Sequence, residues 1–355
     1  MKNKNIITLL VATSIFSSVV TYYFCKQGLK ILAKTDNVVT GQALIAQSNS
    51  CNYKIVRLKG FKYIRPIEYA EPECEGSKYL PLKGLIQNKI DDYKNSNTLI
   101  SASVYFRGFD KGNWINVNPD VQYHPASLLK LALLITLLKM EEKTPGFLNK
   151  SLTFSQKLNT TRFQTFNSQQ IQVGKSYTIK ELLQYMVSYS DNNATNLLHE
   201  VLDVEEHKRT FDNLGLAIPD VYKVGYTISA KDYSTFLKVL YSGGYLNNDH
   251  SEFAFELLTK TDFKDGLLAG LPKGTLVAHK FGEWTDDKSI RQLHESGIIY
   301  LNGKTYLLTI MTSGNSVQKL TEVIAGITKT VYGYLDNLNS STTSYIPNNN
   351  GQQSF

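Results

Sequence analysis

The stretch "HPASLLKLALL", His124 to Leu134, places a serine shortly after a proline, at the mouth of a strongly apolar run, with a lysine three residues later. The leucines and alanines read as a helix made for burial, and Lys130 interrupts them. Burying an ammonium is costly unless something pairs with it. Either the lysine snorkels out to water, or the chain puts it inside for a chemical reason. On a helix, Ser127 and Lys130 at i and i+3 share a face, and a first-turn serine sits in the positive end of the helix dipole. A lysine held in a dry site loses its proton near neutral pH and can then take the proton of a neighbouring hydroxyl. That activates a nucleophile without a histidine. For S-x-x-K alone, an N-capping serine beside a snorkelling lysine is the plainer reading.

Two further elements change the balance. "YSDNNATNLL" sets Ser190, Asp191 and Asn192 at the junction of two expected helices. A serine there can pass a proton to a leaving group, and an asparagine amide can grip a substrate carbonyl; an ordinary N-cap cluster is the alternative. "HKFGEW" sets Lys280 and Gly282 on an expected late strand. The lysine can hold an anionic group, and the glycine lets backbone approach a ligand closely; a surface lysine and a bulge glycine are the alternative. Each motif is weak alone. The order S-x-x-K, S-D-N, K-x-G, with a helical lobe between the first two, is a strong combined signal.

From about Leu99 to Leu335 the chain resembles the class A β-lactamase and penicillin-binding protein superfamily of active-site serine enzymes. The resemblance implies an α+β (mixed) β-lactamase-like fold, with an antiparallel sheet built from both chain ends and an inserted helical lobe. It implies that Ser127 is the acylated nucleophile, Lys130 its base, and Ser190 the proton relay to the departing nitrogen. Asn192 would bind the substrate amide, and Lys280 would attract a substrate carboxylate beside Gly282. The amides of Ser127 and Glu283 would form an oxyanion hole, worth roughly 3 kcal/mol per donor. The implied partner is a small-molecule or peptide substrate, a β-lactam or a D-alanyl-D-alanine-type stem peptide of the cell wall. The family's chemistry uses no metal or organic cofactor.

There are two departures from the family pattern. Phe281 stands where the third motif usually carries a threonine or serine, and Thr285 or Arg291 is the candidate replacement. "FDNLGLAIPDVYKVGYTISAKDY" lacks the long loop whose glutamate activates the deacylating water in class A lactamases. Glu200, Glu205 and Glu206 lie too early, and Asp220 after Pro219 reads as a turn former. Two other functions stay open at this stage: a non-catalytic wall-fragment binding or sensor module, and an esterase or amidase on the same fold.

The rest of the chain supplies context. With 42% hydrophobic and 19% charged residues it is globular, and its +7 charge is diffuse, without the Lys/Arg-dense run or aromatic platform of a nucleic-acid binder. After Lys2 and Lys4 no charge occurs from Asn5 to Cys25, long enough for a helix to span a bilayer. The expected organisation is a cytoplasmic stub (1–5), a transmembrane anchor or signal segment (6–25), a linker and small N-terminal appendage (26–95), the catalytic domain (96–335) and a disordered tail (336–355). The catalytic domain would then be periplasmic or extracellular, where Cys51 and Cys74 could pair; two unpaired thiols are the alternative. Helices are expected over "YLPLKGLIQNKIDDYKN", "TIKELLQYMVSYS" (with a Thr178–Glu181 capping box), "NATNLLHEVL", "AKDYSTFLKVLYSGG", "SEFAFELLTK" and from about Val317 to Leu335. Strands are expected in "LISASVYFRGFDKGNWINVNP", "GTLVAHKFG", "SGIIYLNG" and "KTYLLTIMTSG", the last two joined at Asn302–Gly303. "HEVLD" lacks the second histidine of a zinc helix, and "GKS" at Gly174 lacks the first glycine of a phosphate loop. His279 and His294 read as packed structural histidines.

Overall fold

The computed structural model describes residues 51–64, 66–156, 165–166, 168–219 and 225–343. The segment 6–25, Cys25, Asp220 and the end of the tail lie outside these residues. In chain order the strands are β1 (Tyr53–Arg57), β2 (Ile67–Pro72), β3 (Ser101–Gly108), β4 (Trp114–Val117), β5 (Ser151–Thr153), β6 (Ser176–Thr178), β7 (Leu276–Thr285), β8 (Arg291–Leu301) and β9 (Lys304–Gly314). The α-helices are α1 (Leu80–Asn95), α2 (Lys130–Lys143), α3 (Ile179–Ser188), α4 (Asn192–His199), α5 (Val204–Asn213), α6 (Ala230–Ser242), α7 (Asn248–Thr259) and α8 (Val317–Thr343).

A five-stranded antiparallel sheet in the order β4-β3-β9-β8-β7 is assembled from both chain ends, with the helices α2 to α7 inserted between β4 and β7. Side chains alternate across it. Ala102, Val104 and Phe106 of β3 and Leu308 and Ile310 of β9 face a layer made by α1 and α8. Tyr105, Leu307, Met311 and Ala278 face the inserted helical lobe. The same alternation on β7 sends Val277 and Phe281 towards the α1–α8 layer and leaves Ala278, Lys280 and Gly282 on the lobe side. Asn302 (φ 51°) and Gly303 (φ 69°) close the β8–β9 hairpin with two left-handed residues, the turn the sequence announces.

In the lobe, Thr178 caps α3 through the expected box, its hydroxyl accepting from Glu181 N while the Glu181 carboxylate accepts from Thr178 N. Gly243 (φ 59°) ends α6 in the left-handed region that glycine adopts freely. The helix α5 was not expected. Its sequence, VEEHKRTFDN, is mostly polar, but Asp203 caps it, and Glu206, Thr210 and Phe211 form its buried stripe.

Three features lie at the ends of the described chain. The helix α1 buries Leu82, Ile86 and Ile90 in the sheet's own core, so the packing of the domain begins before residue 96. The β1–β2 hairpin, within the stretch expected to be a small appendage, is tied to β4 by Trp114 Nε1 donating to Pro72 O at 2.8 Å. The helix α8 runs eight residues beyond Leu335 into the stretch expected to be disordered, because Leu338 packs on the core and Lys304 Nζ donates to Asn339 Oδ1 at 2.7 Å. Cys51 and Cys74 are each disulfide-bonded. Among the described residues no helix is long and apolar enough to cross a membrane.

Candidate active site

Ser127 does not sit in the first turn of an α-helix. It lies in a 3-10 turn, Ala126–Leu129, that feeds α2 at Lys130. In such a turn residues i and i+3 eclipse, so Ser127 and Lys130 point to one side. The turn is held in an unusual shape: Ala126 takes φ +51°, its N–H donates to His124 Nδ1 at 3.1 Å, and Leu128 N donates to Pro125 O at 3.0 Å. Tyr233 OH on α6 donates to Leu128 O at 3.1 Å. From the sheet side, His294 Nε2 donates to His124 O at 3.1 Å while its Nδ1 accepts from Thr312 N at 3.2 Å. Burial pushes His294 down to about 3, so it stays neutral and structural, as expected.

Strand β7 presses on this turn at Gly282. A Cβ there would meet Leu128 N and Pro125 O at 2.9 Å and Ser127 N at 3.0 Å, all of them backbone atoms that cannot swing away. The glycine therefore sets the spacing between the Ser127 amide and the next strand residue, Glu283. Gly282→Ala should slow reaction at Ser127 by about 100-fold, because a shift of about 1 Å in a reacting constellation has that effect. The check is the rate of adduct formation on Ser127, compared at equal folded fraction.

Lys130 lies inside. It is 5% exposed, and burial drops its pKa to about 7, partly opposed by Asp191. Its Nζ lies 2.6 Å from Ser190 O, 2.7 Å from Asn192 Oδ1 and 3.3 Å from Ser190 Oγ. The two short contacts go to carbonyl oxygens, which only accept. A neutral amine with two N–H donors and one lone pair fits this set, with the lone pair left for a hydroxyl. Among the described residues no hydrogen bond joins Lys130 to Ser127, because the amine is drawn to Ser190 and Asn192. Lys280 Nζ, fully buried on β7, donates to Ser190 Oγ at 2.9 Å and to Phe281 O at 3.0 Å. Burial, then the nearby Lys130, pull its pKa well down, and Glu295 opposes them. Two amines that converge on one hydroxyl in a dry site do not both carry charge. Ser190 itself stands at φ +54°, held between α3 and α4.

Ser127, Lys130, Asn192 and Glu283 line one cavity of about 430 Å³, and Ser190 and Lys280 back it through their bonds to Lys130 and to each other. The Glu283 carboxylate is turned to other work: it accepts the N–H of Thr165, and that of Phe166 at 3.2 Å. The ring of Phe281 does not line the cavity and lies under Lys280 Nζ, 4.3 Å from the ring centre. It stacks on Phe263 at 4.5 Å and meets Phe166 edge-on at 4.9 Å, so the departure in the third motif serves the α1–α8 layer. Arg291 Nη1 donates to Thr285 Oγ1 at 2.6 Å, which pairs the two candidate replacements with each other.

Sequence reasoning missed several residues of the cavity: His124, stacked on Trp284 at 3.8 Å, and Thr195, His199 and His207. The spacing Asn192, Thr195, His199 (i, i+3, i+7) was the available signal for one helix face. Glu200, Glu205 and Glu206 are absent from the lining; Glu205 pairs with Lys208 at 2.7 Å, and Glu206 with Lys143 and Arg209. His279, the other expected structural histidine, pairs with Glu295 at 2.6 Å in full burial. No group of three or more His, Cys, Asp or Glu among the described residues is arranged to hold a metal ion.

Comparison with known proteins matches the model of the Beta-lactamase enzyme family to residues 85–335, most of the chain. The chain belongs to the beta-lactamase enzyme family. It is 22% identical over 271 residues to a beta-lactamase of Bacteroides uniformis, covering 70% of this chain and 90% of that protein. Among solved structures it resembles PBP-A (TM-score 0.60, 23% identity, 73% of this chain and 97% of that one). A class A beta-lactamase from Bacteroides cellulosilyticus is similarly alike (TM-score 0.60, 19% identity, 72% and 99%). This member of the family gathers a serine, two buried lysines and an asparagine about one cleft, whose lining also includes three histidines.

Proposed function

We propose that this protein is a serine hydrolase that forms an acyl-enzyme on Ser127 with β-lactams or D-alanyl-D-alanine-type cell-wall peptides. Neutral Lys130 removes the Ser127 proton as Oγ attacks the amide carbon. The carbonyl electron pair moves onto oxygen, towards the amides of Ser127 and Glu283. As the C–N bond breaks, Ser190 passes a proton from Lys130 to the departing nitrogen. Asn192 holds the substrate amide, Lys280 takes the substrate carboxylate, and Gly282 lets the substrate lie against the strand. An anionic group beside Lys280 favours its ammonium form, so substrate binding itself restores the charge that burial suppresses.

The observation that carries this reading is the buried Lys130, with a pKa of about 7, bonded to both Ser190 and Asn192. A structure of a PBP-A variant described as an acyl-enzyme complex with penicillin G adds support from a relative. We also place the segment 6–25 as a membrane anchor with the catalytic domain outside the cytoplasmic membrane, where such substrates occur.

The test is incubation with a reporter penicillin, followed by intact-mass and peptide mapping. The expected result is one adduct on the peptide carrying Ser127, absent from Ser127→Ala. No adduct with either a β-lactam or a D-alanyl-D-alanine ester would overturn the reading.

A further inference from the structure

Resting on the acyl-enzyme reading, this inference concerns how the ester on Ser127 is released. Among the described residues Glu283 is the only carboxylate lining the cavity, and its carboxylate already accepts the N–H groups of Thr165 and Phe166. Three histidines line the same cavity. His124 has its Nδ1 taken by Ala126 N and its ring stacked on Trp284. His207 has its Nδ1 hydrogen-bonded to Thr136 Oγ1 at 2.9 Å, and burial pushes it down to about 4, which makes it a weak base. His199 differs from both. It follows Asn192 and Thr195 on one face of α4, in the wall that also holds Lys130, and its side is open to solvent.

We propose that His199 is the general base of deacylation, taking the place of the missing loop glutamate. His199 accepts a proton from a water in the cavity as the water oxygen bonds to the acyl carbon. Collapse of the tetrahedral species breaks the bond between that carbon and Ser127 Oγ, and the proton held by His199 ends on Oγ through cavity water. Ester and water become acid and free serine.

The ring is prepared for this role. Its partly desolvated position and the nearby Lys130 lower its pKa below the ordinary histidine value, an effect that the ring edge reaching solvent keeps small, so the neutral form prevails at pH 7. The charged or titratable groups around it are Lys130 on α2, His207 on α5 and, on the other elements of the cavity, Glu283 on β7 and His124 before the Ser127 turn.

The experiment is stopped-flow and quenched mass spectrometry on the full chain with a chromogenic β-lactam, comparing wild type with His199→Gln and His199→Ala. Adduct formation on Ser127 should keep its rate in both variants. Release should slow by about 100-fold, in the range that a positioned general base supplies. The wild-type release rate should rise with pH to a midpoint below about 6.5, the ordinary histidine value. That limb should vanish in both variants, and added imidazole should partly restore release in His199→Ala. Release that keeps its rate and pH limb in both folded variants overturns the inference, as does a wild-type adduct that never releases. Absence of any wild-type adduct instead overturns the acyl-enzyme reading on which it rests.

Discussion

Lys130→Met should abolish adduct formation on Ser127, slowing it by at least about 1000-fold, and should also change how stability depends on pH. The methionine keeps the length of the stem and removes the amine that would take the Ser127 proton. The effect on stability follows from burial. In the unfolded chain a lysine titrates at its ordinary value of 10.5, and in the fold Lys130 titrates at about 7. Between these values the unfolded chain binds a proton that the folded chain does not, so folding stability rises with pH. Below about 7 both states are protonated, and the full cost of burying the charge, on the order of 5 kcal/mol, is present. From pH 7 to pH 9 wild type should gain about 2–3 kcal/mol from this group, and Lys130→Met should lack that gain. Lys280, depressed mainly by burial and also by Lys130, contributes a rise in both proteins and a smaller one in the variant, so the difference between the two profiles reports the loss of Lys130 together with this relief of Lys280. Ser190 O and Asn192 Oδ1 lose a donor in the variant, at about 1–3 kcal/mol each, but this cost is the same at every pH. Urea titrations at pH 7 and 9 separate the two effects. Parallel pH profiles for the two proteins would mean that Lys130 keeps its proton in the fold, and the proposed base would be lost.

What the sequence made legible was local. The strand-forming composition of β3, β7 and β9, the Thr178–Glu181 box and the Asn302–Gly303 turn each depend on neighbours a few residues away, and each is found where the pattern puts it. Lys130 was legible because a charge inside an apolar run has few physical explanations. The shape of the Ser127 turn was not, because it is imposed from outside by His294, Tyr233 and Gly282, all more than 100 residues away in sequence. The direction of the Phe281 ring was not read, because it is fixed by Phe263 and Phe166, aromatic partners that spacing cannot name. The histidines of the cavity come from three separate segments, and nothing in "NATNLLHEVL" by itself distinguishes a wall of a cleft from a solvated face.

The N-terminal hairpin was the hardest part to read, and Glu71 shows why. Its carboxylate accepts from Tyr105 OH at 2.6 Å, Arg107 Nη1 at 2.5 Å and Lys238 Nζ at 2.7 Å, joining β2 to β3 and to α6 across as many as 167 residues of sequence. Burial alone would raise the Glu71 pKa, but the charge and hydrogen bond of Lys238, with Tyr105 and Arg107, outweigh it and hold it below the ordinary 4.5. A carboxylate with a depressed folded pKa stabilises the fold above its unfolded value, and that contribution is lost as pH falls through the folded one. Glu71→Ala should cost about 3–5 kcal/mol at pH 7, because it leaves Lys238 and Arg107 buried without their counter-charge. The loss should shrink as pH falls below the ordinary 4.5 and through the lower folded value, where the wild-type carboxylate takes up its proton. Lys238→Met in the Glu71→Ala background should recover part of the loss, with a coupling of about 1–3 kcal/mol in a double-mutant cycle. Lys238 shares α6 with Tyr233, whose hydroxyl holds the Ser127 turn, so the hairpin braces the same helix that braces the proposed nucleophile. The distance between the two contacts along α6 keeps the effects separable: the folded fraction of Glu71→Ala should acylate at a rate within a few-fold of wild type. A cost below about 1 kcal/mol would show that solvent reaches Lys238 and Arg107 when the hairpin loses its anchor, and that the hairpin is an accessory to the domain and no part of its buried core.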